Sequence, residues 1–170
     1  MDIKSDSEKL IKAFDHMVED VSKAMHDAEE ALAPTIDEMI QSAQILASDI
    51  HKLSQEESER LGKALKRDIE IANKTLNQQK KELKDWLSFD LTLVEDKFVE
   101  LIARAADKSW LDFRNFETES KQAEIYRTGE VCNAGTLCCN SCAQTMKLSN
   151  TSHIPPCPKC HHTEFHRVVS

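Results

Sequence analysis

Glycine, proline and aromatic residues are scarce in this chain of 170 residues, which contains 3 glycines, 4 prolines and 5% aromatic residues. Collagen-like repeats, β-sandwiches and proline-rich disordered tails each require more of at least one of these residue types. Charged residues make up 31% of the chain. With so few helix-breaking residues, this composition is typical of a mainly helical protein.

Long hydrophobic runs are also missing. No stretch approaches the roughly 18 apolar residues of a membrane-spanning helix, and the first residues lack the apolar core of a secretory signal. We therefore expect a cytoplasmic protein with no membrane partner. The net charge of −8 argues against broad electrostatic binding to duplex nucleic acid, although it leaves room for a small cationic patch.

The distribution of cysteine, glycine and proline divides the chain in two. All six cysteines, two of the three glycines and three of the four prolines lie after residue 125. Residues 126–170 hold four basic and two acidic residues, a charge of +2, so the rest of the chain carries −10. We therefore predict an acidic amphipathic helical region at residues 1–121 and a separate small domain at residues 122–170.

Apolar residues in the first region repeat at steps of three and four, as in the seam of a coiled coil. Pro34 separates the first series from the second, and Ser54 followed by Glu57 forms a capping-box signature that starts a new helix. The three series are Leu10, Phe14, Met17, Val21, Ala24, Ala28 and Ala31; Ile36, Met39, Ala43, Leu46, Ile50 and Leu53; and Leu61, Leu65, Ile69, Ala72, Leu76, Leu83 and Leu87.

Two further apolar stretches, at 91–105 and 110–116, bring the expected number of helices to four or five. Because an apolar stripe must be buried against another helix, we predict an antiparallel helical hairpin or elongated coiled-coil bundle. The stripe could instead close against a second copy as a homodimer. No glutamate has a histidine three residues later, which excludes the di-iron bundle that such pairs build.

Two C-x2-C motifs lie in the second region, Cys139–Cys142 and Cys157–Cys160, with 14 residues between them. In a reducing compartment such cysteines indicate metal ligands rather than disulfides. Four thiolates at about 2.3 Å complete the tetrahedron that Zn²⁺ prefers and leave no open position, so the site is structural. We predict one structural Zn²⁺ in a three- or four-stranded zinc ribbon, with strands at 126–131, 136–138, 144–148 and 163–169.

The ribbon residues resemble the YbeL-like family of uncharacterised bacterial zinc-ribbon-containing proteins. The resemblance rests on Tyr126-Arg127-Thr128-Gly129-Glu130-Val131, Gly135, Leu137-Cys138-Cys139-Asn140-Ser141-Cys142 and Cys157-Pro158-Lys159-Cys160 with Phe165. It implies a bacterial cytoplasmic protein with the four C-x2-C cysteines as ligands, and it assigns no activity. Ala143 and His161 stand where glycine usually follows the second cysteine, so both turns are expected to be strained.

The remaining thiols and imidazoles leave alternatives open. Cys132 and Cys138 are interpreted as small, partly buried strand residues, with a ligand role or a Cys132–Cys138 redox pair as alternatives. One histidine could replace a thiolate; the candidates are His153, His161, His162 and His166.

The sequence contains no glycine-rich phosphate loop, no H-E-x-x-H motif and no evident nucleophile–base pair, so we expect no enzymatic activity. The leading hypothesis is a protein-interaction adaptor whose partner the sequence does not identify. Nucleic-acid binding is a less favoured alternative, through a patch of Tyr126, Arg127, Lys147, Lys159, Phe165 and Arg167. A rubredoxin-like iron–thiolate electron carrier is another, because iron uses the same ligands. Thiol–disulfide exchange at Cys157–Cys160 lacks the βαβ setting that it normally needs.

Overall fold

The computed structural model describes residues 3–28, 34–73, 101 and 124–168. Three main helices come first: α1 (Ile3–Asp27), α2 (Ile36–His51) and α3 (Gln55–Asn73). Short strands follow: β1 (Tyr126–Arg127), β2 (Val131–Cys132), β3 (Gly135–Cys139), β4 (Thr145–Leu148), β5 (Ser152–His153) and β6 (Glu164–Arg167). The prediction of a mainly helical chain with a small C-terminal β module is confirmed.

Capping boxes start both α2 and α3. At the predicted box, the Glu57 backbone N–H donates to Ser54 Oγ at 3.2 Å, and the Ser54 N–H donates to Glu57 Oε2 at 2.7 Å. A second box, which the sequence analysis missed, joins Thr35 and Glu38 in the same way directly after Pro34. These bonds satisfy helix N–H groups that have no partner within the helix.

Helices α1 and α2 pack as a hairpin, and α3 packs against both. The predicted seams of α1 and α3 are buried at the described positions, with Ala24, Leu10 and Ala28 partly covered. Leu101, a described helical residue, joins the same core. The other residues predicted as helical between 74 and 123, and Ala31, lie outside the described residues.

The predicted seam of α2 is only partly correct. Ile36, Met39 and Ala43 are buried, but Leu46 and Ile50 are 49% and 57% exposed, and Ile40 and Ala47 are buried instead. At about 100° per residue, Leu46 lies about 80° from Ile36, at the edge of the buried stripe, whereas Ile50 projects between Met39 and Ala43. The helical period alone therefore does not account for the exposure of Ile50, which depends on where the neighbouring helices lie.

The β module contains a four-stranded antiparallel sheet in the order β1-β6-β3-β4, and β2 pairs with β5 separately. The predicted strand at 126–131 was wrong, because a turn at Thr128–Gly129 divides it into β1 and β2. Gly129 has φ +88°, and the Glu130 N–H donates to the Arg127 carbonyl at 3.1 Å. Glycine permits this left-handed backbone at little cost.

The β module packs directly against the helices. Val131 and Ala134 lie in the same hydrophobic core as residues of α1, α2 and α3, and Ile71 of α3 contacts the core of the β module as well. The His153 ring also reaches the Ser7 carbonyl of α1 at 3.1 Å. The predicted boundary at residue 121 lies outside the described residues, and no local pattern indicated this close packing.

Within the part of the chain that the structure describes, no helix combines the length and the apolar character that a membrane span requires.

Candidate metal centre

The two C-x2-C motifs form turns with the same backbone bonding. In the first turn, the Cys139 N–H donates to the Gln144 carbonyl at 2.9 Å, and the Ala143 N–H donates to the Cys139 carbonyl at 3.0 Å. The second turn repeats both bonds with Cys157, His162 and His161, at 3.0 and 2.9 Å. Each turn therefore places its two sulfurs on the same side of the chain.

The backbone after each second cysteine is left-handed. Ala143 has φ +58° and His161 has φ +59°. Residues with a Cβ atom rarely adopt positive φ. The prediction that both turns are strained because they lack glycine is therefore confirmed.

The four predicted ligands lie together in space. Their sulfurs are all within 4.8 Å of one another. Cys139 Sγ lies 3.6 Å from Cys160 Sγ, and Cys142 Sγ lies 3.6 Å from Cys157 Sγ. Sulfurs at the corners of a tetrahedron with Zn–S bonds of about 2.3 Å would be about 3.8 Å apart. The spacing therefore fits one tetrahedral ion, and it is far too long for disulfides.

The thiols of the cluster differ in acidity. Desolvation raises the pKa of Cys157, but the backbone N–H groups of Cys160 and Lys159 and the neighbouring thiols outweigh it and lower this pKa to about 6. At Cys142 the backbone N–H of Gln144 lowers the pKa, but desolvation and hydrogen bonds with the other three thiols raise it to about 12. Metals bind thiolates, so the backbone N–H groups that lower the pKa of Cys157 also favour the form of this residue that binds an ion.

Comparison with known proteins agrees with this geometry. The model of the DUF1451 family, described as a zinc-ribbon containing domain, matches residues 22–169. The chain belongs to this family. It is also 24% identical to the uncharacterized protein YbeL of Escherichia coli K12 over 159 residues, covering 94% of this chain and 96% of the relative. The YbeL proteins of strains CFT073 and O157:H7 match equally well. No solved structure gives a significant match.

A four-cysteine cluster within a zinc-ribbon domain supports a zinc-binding protein. Four sulfurs occupy all positions of a tetrahedral ion, so the cluster can hold a metal but offers no position for water or substrate. Cys139 and Cys157 are buried, whereas Cys160 is exposed, so one side of the cluster faces solvent.

Cys132 and Cys138 lie outside the cluster. Cys132 is fully buried in the core of the β module, where burial, followed by the charge of Asp68, raises the pKa of its thiol to about 12. Cys138 is half-buried on β3, one residue from Cys139. Because side chains alternate along a strand, neighbouring residues point to opposite faces.

The four candidate histidines are also outside the cluster. The ring nitrogens of His153 lie 2.8 Å from the Gly129 carbonyl and 3.1 Å from the Ser7 carbonyl. His166 Nδ1 lies 2.7 Å from Asn140 Oδ1. His161 supplies the left-handed backbone of the second turn.

Only part of the patch suggested for nucleic-acid binding is exposed: Arg127, Lys147 and Lys159 lie at the surface, whereas the other three residues are buried. Tyr126 and Phe165 are fully buried, and Arg167 is 7% exposed. Arg127 pairs with Glu164 at 3.3 Å across the neighbouring strand. The aromatic part of the patch is therefore not available, because β1 and β6 point Tyr126 and Phe165 into the protein, which patterns within strands of two to four residues did not reveal.

A buried polar cluster at the contact between α3 and the β module was missed by the sequence analysis. We call it the interface cluster, and it consists of Arg67, Asp68, Tyr126, Asn133 and Arg167. One signal was available, since Asp68 follows Leu65 by three residues and precedes Ala72 by four, which places it on the apolar stripe of α3. A buried carboxylate requires polar partners.

Proposed function

We propose that this protein is a non-enzymatic adaptor of the cytoplasm in which one structural Zn²⁺ holds a ribbon that binds a protein partner. The observation that carries the proposal is the set of four converging sulfurs, which closes the coordination sphere. A bound zinc ion would neutralise part of the thiolate charge and cross-link the two turns.

The β module depends on such a cross-link because its own core is small. The buried core comprises seven residues, three of which are cysteines: Tyr126, Cys132, Leu137, Cys139, Ile154, Cys157 and Phe165. Domains of this size rarely bury enough apolar surface to fold alone. Zinc binding contributes about 10–16 kcal/mol in isolated zinc-finger peptides, which is enough to decide whether such a module folds.

The metal is tested by elemental analysis and native mass spectrometry of the full chain, purified under reducing conditions without chelator. We expect one zinc ion per chain. A red protein containing iron would support the rubredoxin-like electron carrier instead. Protein that lacks any stoichiometric transition metal yet retains a folded ribbon would contradict the proposal.

The adaptor role is tested by affinity capture from the native cytosol with the full chain. We expect partner proteins that are captured by the wild-type chain and by Cys132→Ser, but are lost with the double variant Cys157→Ser/Cys160→Ser. Cys132→Ser is the matched control because it changes a thiol outside the cluster. Identical sets of captured proteins for all three chains would contradict a role for the ribbon in partner binding.

A further inference from the structure

We propose that the metal centre controls the packing of helix α3 through the interface cluster, so that loss of the ion releases α3 from the β module. This inference rests on the metal-binding part of the proposed function and is independent of the adaptor role. It makes the helices and the ribbon a single metal-dependent unit.

On the helix side, Asp68 is the central group. Its side chain is fully buried. Oδ1 accepts a hydrogen bond from the Tyr126 hydroxyl at 2.7 Å, and Oδ2 accepts bonds from the backbone N–H and the side-chain amide of Asn133 at 3.1 and 2.8 Å. Each of these donors belongs to the β module, so the carboxylate keeps these three hydrogen bonds only while that module is folded.

The neighbouring Arg67 strengthens the same contact. Its guanidinium lies 3.8 Å from the centre of the Tyr126 ring and donates to Glu130 Oε2 at 2.6 Å and to the Ile125 carbonyl at 3.3 Å. Two consecutive charged residues of α3 therefore find their partners in the β module.

On the ribbon side, Arg167 completes the cluster. It donates to the Tyr126 hydroxyl at 3.1 Å and to the carbonyls of Ala134 and Asn133 at 2.7 and 3.2 Å, and its Nη2 lies 4.0 Å from Asp68 Oδ2. Arg167 thus fixes both residues that bond Asp68.

The sheet connects this cluster to the sulfurs over a short distance. Strand β6 pairs with β3 so that Phe165 lies opposite Cys139 and Arg167 lies opposite Leu137. The two registers are two residues apart, about 7 Å along a strand. Tyr126 of β1 pairs with Phe165 on the other side of β6. A metal ion that orders the turn at Cys139 would therefore also order β6 and β1, which carry Arg167 and Tyr126 of the interface cluster.

Loss of the ion has a definite consequence in this arrangement. Without the cross-link the module no longer holds Tyr126, Asn133 and Arg167 in place. Asp68 then loses all three of its hydrogen bonds and keeps only the neighbouring Arg67, whose Nε lies 3.6 Å from its Oδ1. Such a charge is too costly to retain, so α3 must expose it to water. Val131 and Ala134 leave the helical core in the same step, because they belong to the β module.

The experiment is hydrogen–deuterium exchange of the full chain, with and without a zinc chelator, in the presence of a thiol reductant. In the wild type we expect chelation to increase exchange by about tenfold or more in peptides from α3 as well as from the ribbon, because α3 opens locally. Asp68→Asn should retain its zinc, show increased exchange in α3 already in the metal-bound state, and respond little to chelation.

Asp37→Asn is the matched control. Asp37 pairs with Lys66 at 2.8 Å between α2 and α3. The substitution therefore removes an inter-helix carboxylate that lies outside the interface cluster. It should respond to chelation like the wild type. If Asp68→Asn does not fold, Tyr126→Phe replaces it, because this variant removes only the hydroxyl that bonds Asp68, and exchange in α3 remains the readout.

Zinc-loaded protein in which chelation opens the ribbon while exchange in α3 stays constant would overturn this inference alone. A wild-type level of α3 exchange in folded Asp68→Asn would do the same. Protein that is free of metal but has an intact ribbon would overturn the proposed zinc site as well.

Discussion

Replacing Gly135 by alanine should destabilise the protein far more than the same change at Gly129. A Cβ atom at Gly135 would overlap Nη1 of the Arg167 side chain, whereas a Cβ at Gly129 would meet no atom within 4 Å. Both glycines have positive φ, +153° and +88°, so both variants carry backbone strain. The two substitutions therefore differ mainly in whether they displace Arg167.

The expected magnitude follows from the bonds that Arg167 makes. Its displacement would remove donors from two buried carbonyl groups and from the Tyr126 hydroxyl. The two carbonyls that lose a donor cost about 1–3 kcal/mol each, whereas the Tyr126 hydroxyl keeps its bond to Asp68, so this loss is at least about 2 kcal/mol. Strain at a left-handed alanine adds about 1–2 kcal/mol. We expect a loss of about 3 kcal/mol or more for Gly135→Ala and about 1–2 kcal/mol for Gly129→Ala.

The assay is urea unfolding of the zinc-loaded chains, followed by circular dichroism and by the release of zinc to a coloured chelator. A double-mutant cycle adds Gly135→Ala to Arg167→Met, where only the strain component should remain, because the guanidinium is already absent. Equal losses for Gly135→Ala and Gly129→Ala would show that a Cβ at residue 135 does not displace Arg167, as would an undiminished effect on the Arg167→Met background.

Three other predictions address the metal, the interface and pH. Cys157→Ser should lose stoichiometric zinc while Cys132→Ser retains it, as measured by elemental analysis; zinc bound equally by both would rule out the proposed ligand set. Tyr126→Phe removes the hydroxyl between Asp68 and Arg167 and should cost about 1–3 kcal/mol of unfolding free energy without changing the zinc content; a wild-type urea midpoint would contradict this. Burial, then the adjacent His16 and Lys12, lowers the pKa of His51. The unfolded chain therefore binds a proton more readily, so stability should fall as the pH drops below about 6.5; His51→Gln should reduce this fall, and a pH profile identical to that of the wild type would count against it.

Local patterns predicted the parts of the structure that depend on neighbouring residues. The spacing of the C-x2-C motifs indicated the four sulfurs that lie together, because each turn brings its own two cysteines close. The capping box at Ser54 and the apolar stripe of α3 were predicted for the same reason. The capping box, the apolar stripe and each separate cysteine turn are defined by residues close in the chain, whereas the meeting of the two cysteine turns joins residues 15 and 21 positions apart.

Features that depend on distant residues were missed or mistaken. Tyr126 and Arg167 read as surface residues because their partners are far away in sequence; Tyr126 bonds Asp68 across 58 positions. The exposure of Leu46 on α2 likewise depends on how the helices are packed. A charged residue in a two- to four-residue strand gives no periodicity that would reveal its burial.

The left-handed residues of the two cysteine turns bear on how readily the site would exchange its ion. Ala143 and His161 hold a conformation that costs a residue with a side chain about 1–2 kcal/mol. This cost makes the free energy of metal binding less favourable, and for each turn it corresponds to a roughly tenfold higher Kd than glycine would allow. Such a ribbon would release its ion at a higher free-metal concentration than a ribbon with glycine at both positions.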